Sequence, residues 1–113
     1  MRVNATQILD GIERYIEGEI LAKIPDARKW VVGGYVALVM RPFRQNPDAL
    51  FRHPLIAPLE HLVTPDGTVD LDAVRDVFRE QAQKYPSFLN IPMVGQYHMD
   101  VNDIDKIYNY IIS

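Results

Sequence analysis

Apolar side chains at Ile8, Leu9, Ile12, Tyr15, Ile16, Ile20 and Leu21 follow one another at steps of one, three and four residues. Asp10, Glu13, Arg14, Glu17 and Glu19 fall mostly between them, so one apolar stripe runs along a helix. The opening "NATQ" is a capping-box variant, with a side-chain acceptor at Asn4 and Gln7 three residues on. Pro25 breaks the pattern, and the spacing predicts a helix over 4–22. Gly11 and Gly18 each weaken it by about 1 kcal/mol relative to alanine.

The next stretch, "ARKWVVGGYVALVM", is apolar nearly all round from Trp30 to Met40. Length and the lack of alternation make it a helix, although its valines also suit a strand. An all-apolar helix belongs at the buried centre of a fold. The pair Gly33–Gly34 then implies close approach of another helix. Asp26 is its expected cap and Arg41–Pro42 its expected stop. Two short helices follow, one with Asn46 as cap and Pro47 at its first position, one from Pro54 to Leu62. "TPDG" is a turn, with Pro65 second and Gly67 fourth.

The remainder contains one pattern twice. "TVDLDAVRDVF" from Thr68 and "HMDVNDIDKIY" from His98 align with Val69 on Met99, Asp70 on Asp100, Val74 on Ile104 and Phe78 on Tyr108. In each, a strand residue is followed by an Asp placed to cap a helix, one ending at Lys84 and one running from Asp100 to about Ile112. "SFLNIPMVG" between them reads as a loop and "QYHMD" as a short strand. The simplest shared arrangement pairs Val69 with Met99 as a minimal antiparallel bridge, the two helices leaving side by side.

These units make the C-terminal half resemble a degenerate EF-hand-like pair. "LVTPDGTVDLDA" has Gly67 at the sixth loop position and Val69 at the eighth, but Leu62, Thr64 and Ala73 stand where ligands belong. The resemblance therefore implies a structural unit that binds no calcium. A divalent-ion module around Asp66, Asp70 and Asp72 is the remaining metal reading.

The composition, 48% hydrophobic and 24% charged over 113 residues, fits one globular domain spanning 1–113. The longest apolar run covers eleven residues, short of the roughly 20 of a membrane-spanning helix. Acidic residues through the N-terminal pattern exclude a signal peptide there. With no cysteine, thiolate chemistry and disulfides are excluded. The expected location is cytoplasmic, or within a phage particle. The net charge of −3 is unevenly spread: residues 1–22 carry −2, residues 23–53 carry +4 and residues 54–113 carry −5. A chain so divided can associate basic patch to acidic patch.

Candidate chemistry is sparse. His53, His61 and His98 stand in no HxxxH or HExxH spacing, Ser87 and Ser113 in no GxSxG elbow, and no glycine pattern matches a nucleotide loop. The carboxylate pairs Asp70/Asp72 and Asp103/Asp105 lie at helix starts and on polar faces, where capping explains them. No catalytic, cofactor-binding or metal residue is assigned, no cofactor is expected, and the chain is read as a non-enzyme.

The stretches "QILDGIERYIE", "PDGTVDLDAVRDVFREQAQKY" and "MDVNDIDKIYNYI" resemble small uncharacterised proteins encoded in bacterial prophages. The resemblance implies a particle or assembly component. The sequence thus predicts a mainly α, compact bundle of about five helices with a minimal two-stranded antiparallel bridge before the C-terminal helices. Its expected core includes Ile8, Ile12, Ile16, Trp30, Tyr35, Leu38, Leu59, Val74, Val77, Phe78, Ile104, Ile107 and Tyr108. The expected function is non-catalytic interaction or assembly, through self-association or a protein partner, with a candidate surface of Arg28, Lys29, Arg41, Phe43, Arg44 and Arg52. The alternative is a nucleic-acid-binding regulator using the basic 23–53 segment.

Overall fold

The N-terminal helix starts where its capping box lies. In a computed structural model that describes residues 1–52, 57–84, 87–91 and 95–113, the Asn4 side chain accepts from the Gln7 N–H and the Gln7 side chain from the Asn4 N–H, each at 2.9 Å. Two of the orphan donors of a helix start are thereby satisfied. Ahead of it, β1 (Arg2–Asn4) precedes α1 (Ala5–Tyr15).

The same helical path continues as a π segment, Ile16–Ile20, and a 3-10 turn, Leu21–Lys23. The wider π turn has a readable cause. Tyr15 and Ile20 are five residues apart, yet both are buried in one cluster with Ile24 and Val32. A regular helix puts residues three and four apart on one face, and the extra residue per turn brings the fifth into line.

The chain then forms α2 (Asp26–Gln45), two 3-10 helices (Pro47–Arg52 and Ala57–Leu62), β2 (Thr68–Asp70), α3 (Leu71–Lys84), the hairpin β3 (Ser87–Ile91) and β4 (Gly95–Met99), and α4 (Val101–Ile112). The fold is a mainly helical bundle with small antiparallel β bridges, as the pattern requires.

The main core gathers Val3, Leu9, Phe51, Val69, Leu71 and Ile111 between α1, α3 and α4. Gly11 marks where α1 and α4 touch. A Cβ there would lie 2.7 Å from the Ile111 Cα, a separation real side chains do not show, so only glycine admits this approach. Arg14 continues the contact by donating to the Tyr110 carbonyl at 2.7 Å and to the Ser113 carbonyl at 3.3 Å, satisfying acceptors that α4 leaves open at its end.

Several expectations need correction. Val69 does not bridge to Met99: β2 pairs with β1, Val3 opposite Val69 and both fully buried, while Met99 pairs with Ser87 in the hairpin. The two acid-started units keep their caps, Asp70 accepting from the Asp72 N–H and Asp100 forming a capping box with Asp103, but each finds its own strand partner. "SFLNI" is a strand rather than a loop, its backbone zipped to residues 95–99.

Asp26 lies inside α2 instead of capping it; Pro25 holds the cap position, and the Asp26 carboxylate meets Lys29 Nζ at 2.9 Å. Pro42 does not stop α2, which runs on to Gln45. One missing N–H near a helix end is a smaller loss than in the middle. Finally, Trp30, Tyr35 and Leu38 are not in the core but exposed. The predicted helix start at Pro54 falls outside the described residues.

Candidate interaction surface on α2

α2 was expected to be central and is instead a flank of the bundle. Val32 and Met40 point inward and are buried, with Val36 and Phe43 packed half-buried along the same line. These positions, four, four and three apart, make one inward stripe. The opposite side is apolar as well. Trp30 is 77% exposed and Leu38 65%, with Tyr35 exposed at the edge of that side.

Trp30, Gly34 and Leu38 recur every fourth residue, so they stand one above another along about 12 Å of helix. Among the described residues, a Cβ built on Gly33 or Gly34 would meet nothing within 4 Å, so none of them makes the close helix approach that this glycine pair suggested. The stripe is bounded by Asp26 one turn before Trp30 and Arg41 three residues after Leu38, both exposed.

The basic candidates are dispersed by their partners. Arg28, Arg41 and Arg52 are exposed. Lys29 is joined to Asp26. Arg44 crosses to α1, donating through Nη1 to Asp10 Oδ1 at 2.6 Å and through Nη2 to Glu13. The Asp10 hydrogen bond first, then Glu13, hold its pKa above the usual arginine value. Phe43 packs half-buried against the core. Arg44 and Phe43 thus attach α2 to the bundle.

Asp103, which the sequence places among the capping carboxylates of a helix start, takes part in the capping box of α4 and is also buried. Tyr15 donates its hydroxyl to Asp103 Oδ1 at 3.0 Å, and Asp103 Oδ2 accepts the Asp100 N–H at 2.9 Å. The residue caps α4 and satisfies a buried phenol at once. Its partner lies 88 residues away, which no local pattern encodes. Asp105 likewise takes Arg79 Nη1 on both oxygens at 2.6 Å.

The carboxylates of the proposed metal loop are occupied by the protein itself. The Thr64 carbonyl accepts the Gly67 N–H at 2.9 Å, and Gly67 turns with a φ of +80°, so "TPDG" is a turn. Asp66 Oδ1 accepts from the Thr64 hydroxyl, the Thr68 hydroxyl at 2.8 Å and the Thr68 N–H at 3.2 Å. The Thr64 bond first, then those from Thr68, bring the Asp66 carboxyl down to about 2. Arg2 closes over this turn, its Nη2 donating to Thr64 Oγ1 at 2.7 Å.

Asp70 and Asp72 sit 3.5 and 3.3 Å from the Met1 amine, and the Tyr108 hydroxyl donates to Asp72 at 2.7 Å. Among the described residues no group of three or more His, Asp or Glu is placed to hold a metal ion. No described helix is long and apolar enough to cross a membrane. His61 is exposed; His53 and the His98 side chain lie outside the described parts. No family model, no curated protein and no solved structure matches this chain.

Proposed function

We propose that the protein is a non-catalytic interaction and assembly protein that self-associates through the outer face of α2. The observation that carries this reading is the exposed stripe of Trp30, Tyr35 and Leu38 over an open glycine pair. These side chains present on the order of 400 Å² of surface, from the usual sizes of aromatic and aliphatic groups, and a patch of that size on a monomer is commonly a site. Two copies bring about twice that. Flanking residues carry the total toward the roughly 1,200 Å² at which specific interfaces begin.

The pattern also suits a second copy of the same chain. Trp30 and Leu38 are equidistant in sequence from Gly34. In an antiparallel crossing at Gly34, the Trp30 of each copy meets the Leu38 of the other, and glycine meets glycine where the backbones come closest. Asp26 of each then lies near Arg41 of the other, so opposite charges close both ends. Such self-complementarity is what a two-fold interface needs. The resemblance to small uncharacterised prophage-encoded proteins, which implies an assembly component, is in keeping with this reading. The basic 23–53 segment as a nucleic-acid surface has less support, because Lys29 and Arg44 are engaged in ion pairs within the chain.

The test is molar mass by light scattering over a concentration series, at low and high salt, for the wild type, Leu38→Glu and Arg41→Glu. Leu38 is largely solvated in the single chain, so the variant should fold. The expected result is a dimer for the wild type, the 13.0 kDa monomer for Leu38→Glu, and a dimer weakened mainly at low salt for Arg41→Glu. A wild type that stays at 13.0 kDa throughout, or a Leu38→Glu variant that keeps the dimer mass, overturns the proposal.

A further inference from the structure

The interior carries a second observation, independent of α2's outer face. The apolar pattern places Ile12 of α1, Ile16 of the π segment, Phe78 of α3, and Ile104, Ile107 and Tyr108 of α4 in the core, yet each is only half-buried. All six line one cavity of about 370 Å³ between α1, the 3-10 helices, α3 and α4. Part of each inward face therefore borders this space instead of another side chain.

Protein interiors rarely leave voids larger than a water molecule. A void left empty destabilises a fold in proportion to its volume, and one of this size does so on the scale of a small domain's whole margin of stability. Water fills it poorly, because a buried water needs several polar partners and the described walls offer none. An engineered apolar cavity of about 150 Å³ stays dry and takes up benzene, and natural ligand pockets begin at about 300 Å³.

The chemistry of the occupant follows from the walls. Two tyrosines line the cavity with their rings alone: the Tyr15 hydroxyl donates to Asp103 at 3.0 Å and that of Tyr108 to Asp72 at 2.7 Å. Arg75 contributes only carbon, since its Nε presents no accessible surface. A hydroxyl, carbonyl or charge brought inside would lose its water and gain no partner, so the site selects against all three. Size sets the other limit. At the interior packing density of about 0.74, the space holds a hydrocarbon of roughly 10–15 carbons. A partner's helix, about 10 Å across, needs more than this volume for a single turn. We propose that the cavity binds a compact hydrocarbon with no polar group, held by contact with its aliphatic and aromatic walls.

The test uses the full chain carrying Leu38→Glu, so that the outer face of α2 offers no competing apolar site and the outcome does not depend on self-association. Naphthalene is titrated in and compared with 2-naphthol and 2-naphthoate, which add one hydroxyl or one carboxylate to the same rings. The expected result by calorimetry is saturable binding of naphthalene, with 2-naphthol at least tenfold weaker and 2-naphthoate weaker still. Ile12→Phe from α1 and Ile107→Phe from α4 fill the space; each should weaken naphthalene tenfold or more while keeping or raising the melting temperature. Absence of saturable binding, 2-naphthol within tenfold of naphthalene, or a filled variant that binds within tenfold of its parent or melts below it overturns the proposal.

Discussion

Two glycines stand in the helical run formed by α1 and the π segment that continues it, Gly11 and Gly18, and two stand in α2, Gly33 and Gly34. Under Gly11 the backbone of α4 comes so close that a single methyl group has no room, and Gly18 lies under the hydroxyl end of Tyr110, which a methyl group would push aside. Over Gly33 and Gly34 no described residue comes within 4 Å of where a methyl group would sit. One pair of gaps is filled by the chain itself and the other faces solvent. At Gly11 glycine answers a demand of the fold; in α2 it lowers helix stability by about 1 kcal/mol per residue with no close contact among the described residues in return. The comparison teaches that a glycine's value is set by what lies opposite it, and it is this open pair on which the proposed self-association of α2 rests.

The strongest way to break the comparison is Gly11→Ala. The methyl gains helix propensity but must displace the Ile111 backbone, and overpacking of that kind outweighs the gain. A net loss of about 1–3 kcal/mol is expected by urea unfolding. Unchanged stability would show that α1 and α4 do not meet at this distance.

Tyr15→Phe probes the same closed side. It removes the hydroxyl from buried Asp103 and should cost about 1–2 kcal/mol, with little change in helix content by circular dichroism. On the open side the sign reverses. Gly34→Ala is expected to stabilise a monomeric Leu38→Glu background by about 0.5–1 kcal/mol, the helix propensity alone. Without Leu38→Glu, the same substitution should weaken the dimer, because the crossing point is then filled.

Two carboxylates sharpen the contrast at the smallest scale. Asp66 is held by Thr64 and Thr68 beneath Arg2 of β1, whereas Asp26 has one neighbour three residues along its own helix. With its folded pKa lowered to about 2 from 3.8, Asp66 stabilises the fold at pH values above about 4, and that contribution is lost as pH falls toward 2. Asp66→Asn should therefore be less stable than the wild type at pH 7 and converge with it near pH 2. Asp26→Asn, at an exposed local pair, should show no measurable shift in monomer melting at either pH.

Much of the fold was legible where the information is local. The capping boxes at Asn4 and Asp100, the cap at Asp70, the turn at 64–67 and the inward stripe of α1 all depend on residues within a few positions of one another. What failed to read was pairing at a distance. Val69 had a plausible partner in Met99 by repeat symmetry, and its actual partner, Val3, sits on a three-residue strand too short to announce itself. The same limit hid the Tyr15–Asp103 bond.

The placement of α2 shows a different limit. Apolar residues all round a helix say that every side is to be covered, and a sequence does not say whether the cover comes from the same chain. The inward stripe through Val32, Val36 and Met40 and the outward one through Trp30, Gly34 and Leu38 look alike on paper. The basic candidates were likewise legible as charges and illegible as ion pairs, since Arg44's partners lie on another helix.

The pairing of β1 with β2 also has a consequence for how the protein is made. Val3 finds Val69 only after 66 further residues have been synthesised, about 3–13 seconds at the usual speed of a ribosome. Through that interval the apolar side of α1 has been built and its lid has not. Until then the apolar stripe of residues 8–20 lacks the packing that holds a helix this short together. Nothing encoded before residue 69 completes the first bridge of the fold.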